Sequence, residues 1–149
     1  MAAALVPGDH RPEPRPSWLS APFWEAAARG ELIVQRCGAC QHLFFRPEAA
    51  CTRCLAQEWS WERMSGRATV YSFTVVHRPA IPDMAVPYVV ADVLLDEGVH
   101  MMTNIVGCYE DEVAIDMPVK VEFVKQADLF LPFFIPVHTA EGQVCHVAK

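Results

Sequence analysis

Cys37-Gly38-Ala39-Cys40 and, after ten intervening residues, Cys51-Thr52-Arg53-Cys54 decide the fold of this chain. Each Cys-x-x-Cys turns the backbone tightly enough to bring two thiolates to one point. Two such turns can face each other across a short hairpin and close a tetrahedral four-sulfur site. A single pair would leave a thioredoxin-like redox reading open; the duplication argues against it. The predicted metal ligands are therefore Cys37, Cys40, Cys51 and Cys54.

Zinc is the expected metal. Iron sites of the rubredoxin type use similar ligands, but a glycine commonly follows their paired cysteines, and here Gln41 and Leu55 stand there. A closed four-sulfur site has no open coordination position, so the metal is read as structural rather than catalytic. Structural zinc binds small peptides with about 10–16 kcal/mol, enough to order a ribbon. Disulfides are the competing use of these thiols. No basic segment followed by a long apolar core is visible near the N-terminus, so a reduced, cytoplasmic setting is expected. Cys108 and Cys145 have no partner pattern and read as ordinary thiols.

Outward from the knuckles, Leu32-Ile33-Val34 reads as the strand entering the first and Leu43-Phe44-Phe45 as the strand leaving it, ended by Pro47. Trp59-Ser60-Trp61 alternates as a third ribbon strand. Upstream lies a short helix, with Ser20 as N-cap, Pro22 in the first turn, Gly30 past the end and an apolar stripe of Phe23, Ala26 and Ala27. So short a helix cannot bury both Trp18 and Trp24 alone. Residues 1–16 carry four prolines and read as a mobile or partner-ordered arm.

Ser65-Gly66 marks a turn between a helix-and-ribbon module, 17–64, and a β module, 65–137, with a tail at 138–149. In the β module, Tyr71, Phe73 and Val75 fall on one face of a strand over about 68–77 and read as a core stripe. Arg78 to Pro87 is a proline-containing loop. Tyr88 to Asp96 is a nearly continuous apolar strand interrupted by Asp92, which reads as a carboxylate at an edge or barrel mouth. Asp96-Glu97-Gly98 turns the chain into a returning strand, His100 to Val106. Val119, Val121 and Phe123 alternate with Lys120 and Glu122 as a half-buried strand. Leu131 to Pro136, with two prolines, reads as an edge strand or docking segment that needs a cover. The expected fold is mainly β: a short N-terminal helix, a rubredoxin-like zinc ribbon, then a small antiparallel barrel, for which an OB-fold is the natural candidate.

Composition narrows the function. A chain of 149 residues with 52% hydrophobic residues can build a sizeable core. No apolar run approaches a membrane span. A net charge of −6 weighs against nucleic acid, whose phosphates need clustered Lys and Arg. There is no G-x-S-x-G, GxGxxG, P-loop or H-E-x-x-H. The six histidines, His10, His42, His77, His100, His138 and His146, are scattered without an obvious base-orienting neighbour. No catalytic residue is assigned.

Read together, these blocks carry a resemblance. A Phe-Trp helix and a double Cys-x-x-Cys ribbon are followed by Gly66-Arg67-Ala68-Thr69-Val70-Tyr71-Ser72-Phe73-Thr74, Pro87-Tyr88-Val89-Val90-Ala91 and Asp96-Glu97-Gly98. Then come Met102-Thr103-Asn104-Ile105-Val106-Gly107-Cys108, Met117-Pro118-Val119-Lys120-Val121 and the Leu-Pro-Phe-Phe-Ile-Pro end. Over about residues 17–137 the chain is similar to the acyl-CoA-associated OB-fold family with a rubredoxin-like zinc ribbon, long labelled a domain of unknown function. Asp116 stands where that pattern has glycine.

The resemblance implies a non-catalytic accessory subunit. Family members look like partners of thiolase-fold proteins, among them thiolases, an acyltransferase and steroid side-chain aldolases acting on acyl-CoA. The thiolase-fold subunit carries the chemistry there, and the small protein stabilises it and helps form the acyl-CoA channel, so a coenzyme A ester would be shared with the partner. A heterotetramer, two copies flanking a thiolase-type dimer, is the expected assembly. The ribbon cysteines carry over as structural Zn2+ ligands; no CoA-contacting residue does. A stand-alone acyl-CoA binder, using charges such as Arg67, Arg78, Lys120 and Lys125, is the alternative, and a nucleic-acid-binding ribbon is the weaker one.

Overall fold

Phe23, Ala26 and Ala27, the predicted stripe, are the buried residues of a helix, α1 (Ala21–Ala28), in a computed structural model that describes residues 12–82 and 84–137. The first eleven residues of the expected arm, the tail, Cys145, His10, His138 and His146 lie outside the described residues. Ser20 precedes α1, but its hydroxyl does not cap the helix; its Oγ accepts from the Ser17 N–H at 2.9 Å. Trp24 meets Phe23 edge-on, with ring centroids 5.2 Å apart, and packs over Val106, Leu131 and Phe133. Trp18 is 81% exposed, so the helix covers one indole and not the other.

Three short strands follow: β1 (Ile33–Cys37), β2 (Leu43–Phe44) and β3 (Trp59–Arg63), in the order β2-β1-β3 with both pairings antiparallel. The sequence places all three.

The remaining strands are β4 (Arg67–Val76), β5 (Tyr88–Leu95), β6 (His100–Ile105), β7 (Pro118–Gln126) and β8 (Leu129–Pro136). They close into a barrel in the order β4-β5-β6-β8-β7. The predicted fold class is therefore the observed one, a mainly β chain with one short helix, a ribbon and a small barrel. Val70, Val89, Val93, Ile105, Val119 and Phe134 are essentially inaccessible and form the centre of the barrel core. Burying such side chains is worth roughly 1.5–3 kcal/mol each.

Three readings of the barrel strands are corrected. Tyr71 does not share the core face with Phe73 and Val75. A β-bulge between Val70 and Ser72 shifts the register, so Ala68 and Val70 point inward before it and Phe73 and Val75 pack inward after it. Tyr71 is left outside, 59% exposed.

Leu131 to Pro136 is not an edge. It lies within β8, which pairs with β7 along its whole length and with β6 in parallel at Ile105 opposite Phe134. The carbonyls of Pro132 and Phe134 accept from Thr103 Oγ1 and Val106 N, both toward β6. By strand parity, Pro132 and Pro136 direct their missing N–H groups to that sparsely bonded side and leave the ladder to β7 intact.

Asp92 sits at neither an edge nor a mouth; it is mid-strand on β5, on the solvent side of the barrel.

Gly66 joins ribbon to barrel at φ +76°, and a Cβ there would stand 2.5 Å from Val121 Cγ1. Its carbonyl accepts from the Val121 N–H at 2.8 Å, which fixes the close approach. Gly66→Ala is expected to lower the unfolding free energy by about 2–4 kcal/mol, from the left-handed backbone and the overlap together. In urea titrations a cycle with Val121→Ala should show favourable coupling, because removing the methyl groups relieves the overlap. Strictly additive losses would contradict this account.

Candidate metal centre

The two cysteine turns are built alike. In the first, Cys37 N donates to His42 O and Gln41 N to Cys37 O; in the second, Cys51 N donates to Ala56 O and Leu55 N to Cys51 O. Gln41 and Leu55 take positive φ, +60° and +63°. These are the positions where glycine relieves strain in such turns, so the structure explains why glycine is common there and shows this chain managing without it.

The four sulfurs lie within 4.8 Å of one another. Cys37 Sγ is 3.5 Å from Cys54 Sγ, and Cys40 Sγ is 3.7 Å from Cys51 Sγ. Four thiolates about 2.3 Å from a tetrahedral zinc stand about 3.8 Å apart, so the donor set fits that ion. Cys37 and Cys51 are buried with Phe44 packed against them, whereas Cys54 is exposed.

Backbone donors tune the sulfurs. The Cys40 N–H, 3.4 Å from Cys37 Sγ, holds the Cys37 thiol below its ordinary range against the opposing effect of burial. Burial raises Cys51, but the N–H groups of Cys54 and Arg53 and the neighbouring sulfurs overcome it and lower that thiol to about 6. At Cys54 the Ala56 N–H lowers the value, yet the sulfurs of Cys40 and Cys37 outweigh it and push it up to about 12. Clustered sulfurs share protons in this way because all four cannot be anionic together without a cation among them.

Gln35 supports the centre and was not singled out in the sequence. It is fully buried on β1, donates from Nε2 to Glu48 O at 3.0 Å and accepts from Glu48 N at 2.7 Å. It thereby pins the loop that leads into the second knuckle. Trp59 Nε1 adds a second tie, to Ala49 O at 3.2 Å. The legible signal was an amide directly after the apolar run Leu32 to Val34, two residues before a ligand cysteine. Gln35→Ala should cost about 2–4 kcal/mol in urea titration of the zinc-loaded protein, since Glu48 loses both backbone partners beside a cavity. A loss under about 1 kcal/mol would mean that the loop is held elsewhere.

Outside the centre, one histidine does have an orienting neighbour. His100 Nδ1 lies 3.0 and 3.2 Å from the two Asp92 carboxylate oxygens, and Tyr71 meets its ring edge-on at 4.8 Å. The group is partly exposed on the outer face of the barrel. Cys108 is buried in the barrel core, as expected of a packing thiol. No helix among the described residues is long and apolar enough to cross a membrane.

Comparison with known proteins agrees with this architecture. Residues 24–60 match the ChsH2 rubredoxin-like zinc ribbon domain, and residues 61–124 match the ChsH2 C-terminal OB-fold domain. The chain is 39% identical over 127 residues to the probable enoyl-CoA hydratase alpha subunit of Thermomonospora curvata, covering 85% of this chain and 40% of that protein's length. It is 34% identical over 94 residues to a DUF35 domain-containing scaffold protein of Methanocaldococcus jannaschii, covering 62% of this chain and 67% of that one. A solved Ltp2-ChsH2(DUF35) aldolase contains a chain that superposes with a TM-score of 0.74 at 38% identity, covering 83% of this chain and 98% of that one. With ribbon, barrel and sequence all matched, the chain belongs to the DUF35 family, whose ChsH2-type members join a rubredoxin-like zinc ribbon to an OB-fold domain.

Proposed function

We propose that this chain is a non-catalytic subunit of a thiolase-fold enzyme acting on an acyl-CoA, which it stabilises and whose acyl-CoA channel it helps to form. In this reading Cys37, Cys40, Cys51 and Cys54 hold one structural zinc, within a helix-and-ribbon module (17–64) that abuts the barrel module (65–137). The observation that carries the proposal is the 38% identity to a chain of an Ltp2-ChsH2(DUF35) aldolase, nearly all of which this chain covers. The thiolase fold of the partner comes from the sequence resemblance.

The chain's own chemistry points the same way. A closed four-sulfur centre offers a substrate no open coordination site. The exposed Trp18, Leu55, Tyr71 and Met102 are side chains suited to a protein interface. The net charge of −6 disfavours a nucleic-acid partner.

The test is co-expression with a thiolase-fold protein, with mass and zinc content measured on the purified complex and acyl-CoA turnover measured for each chain and for both. The expected result is two copies per partner dimer, one zinc per copy, and turnover only when both proteins are present. Turnover of an acyl-CoA by this chain alone, or hydration of an enoyl-CoA by it, would make it an enzyme in its own right and sink the proposal.

A further inference from the structure

We infer that this chain by itself binds an amphiphile with an apolar body and a single anionic head, in a groove between α1, the segment after β2, and strands β6 and β8. The groove encloses about 400 Å³, within the size range of small-molecule sites. Phe23, Trp24, Phe45, Met102, Leu131 and Phe133 give it an apolar lining.

The polar groups of the groove define the ligand's head. Ser20, Thr103 and Asn104 line it but bond within the protein: Ser20 Oγ accepts from Ser17 N at 2.9 Å, Thr103 Oγ1 donates to Pro132 O at 2.8 Å, and Asn104 Nδ2 donates to Val89 O at 2.7 Å. Arg46 differs. It lines the same groove, is exposed, and its guanidinium makes no hydrogen bond or ion pair among the described residues. A guanidinium offers a planar fork of donors that matches a carboxylate. One cation beside an apolar trough therefore selects a hydrocarbon chain that ends in one negative group. The inference stands on the groove alone and is tested on the isolated chain.

Straight-chain carboxylates are the direct probe. Octanoate, decanoate and dodecanoate, each below its micelle concentration, should bind one site saturably by calorimetry and shift tryptophan emission through Trp24. Affinity should rise about two- to fourfold per added methylene until the groove is filled. Arg46→Gln should weaken decanoate about fivefold and leave decanol unchanged, as loss of a charge-assisted contact at an exposed rim requires. Met102→Trp, at a position 75% exposed and so harmless to the core, should narrow the groove and weaken both ligands. Absence of saturable binding overturns the inference. So does an Arg46→Gln protein that loses the alcohol as strongly as the acid, or a Met102→Trp protein that binds both as before. Failure of the subunit proposal would appear instead as a missing complex, with fatty-acid binding intact.

Discussion

Cys51→Ser is expected to reduce zinc from one ion per chain to near zero and to unfold the ribbon. The Cys51 sulfur is inaccessible and shares its surroundings with Cys37 and Phe44, so no neighbouring group can take its place. Structural zinc contributes about 10–16 kcal/mol of apparent binding energy. A whole domain has about 5–15 kcal/mol to lose. The sheet β2-β1-β3 has one central strand, β1, and the first ligand cysteine ends it. Hydrogen exchange should therefore show the amides of residues 33–63 unprotected, while Val93 and Val119 in the barrel stay protected. Stoichiometric zinc in the variant, or protection retained across the ribbon, would contradict the assignment of the centre.

The same centre gives a pH dependence whose sign is fixed. The metal-free Cys51 thiol is lowered to about 6, so its thiolate favours the folded state above the ordinary thiol range of about 8.5. That contribution is lost as pH falls through about 6. Zinc competes with the same protons and is expected to leave on acidification through that region. Cys54, pushed up to about 12, keeps its proton until metal displaces it. Zinc content after dialysis in steps from about pH 7.5 to about pH 5 should therefore fall from one ion per chain toward zero as pH passes about 6. Zinc retained in full at about pH 5 would contradict the tuning described for Cys51.

Phe134→Ala should cost about 3–5 kcal/mol, the largest loss from any single barrel side chain. Phe134 has no accessible surface and is the largest of the side chains buried to that degree. It lies on β8 opposite Val121 of β7 and Ile105 of β6. The parallel ladder between β6 and β8 has a single register pair, so the barrel is closed there mainly by side-chain contact rather than by backbone bonds. Removing the ring opens a cavity at the seam where little else resists separation. Urea titration should show a lower midpoint with an unchanged slope if the barrel still unfolds as a unit. A loss under about 1.5 kcal/mol would mean that the seam can collapse onto the space.

The ribbon was legible because metal ligands and turn spacing are local. Leu32 to Val34, Leu43 to Phe45 and Trp59 to Trp61 flank the knuckles as strands must if the knuckles are to meet. The helix was legible from Phe23, Ala26 and Ala27. The bulge at Tyr71 was not, because apolar alternation continues unbroken through Tyr71, Phe73 and Val75 and only the facing strand reveals the extra residue. The interior role of β8 was hidden by its prolines, whose harm depends on which side lacks the N–H group. Asp92 and His100 are eight residues apart, but the turn at Asp96-Glu97-Gly98 sets Leu94 opposite His100 and Asp92 opposite Met102. That register makes Asp92 and His100 diagonal neighbours on the outer face, a contact that follows once the hairpin is written out. Asp116 at φ +63° occupies the left-handed turn for which glycine was the expected residue.

The closed ring of five strands has a consequence for how this protein meets other chains. A polypeptide finds no outer strand on the barrel to extend, because every strand there already has a neighbour on both sides. The barrel is thereby shielded from the runaway stacking that exposed sheet margins invite. Among the described residues, the strands with one side open along their whole length are β2 and β3 of the ribbon, whereas in the barrel the pairing is merely partial where β4 meets β7 at Arg67–Thr69 and where β6 meets β8 at Ile105. Any companion that grips the barrel must recognise its side chains, and its choice can be altered one substitution at a time without disturbing the main-chain ladder beneath.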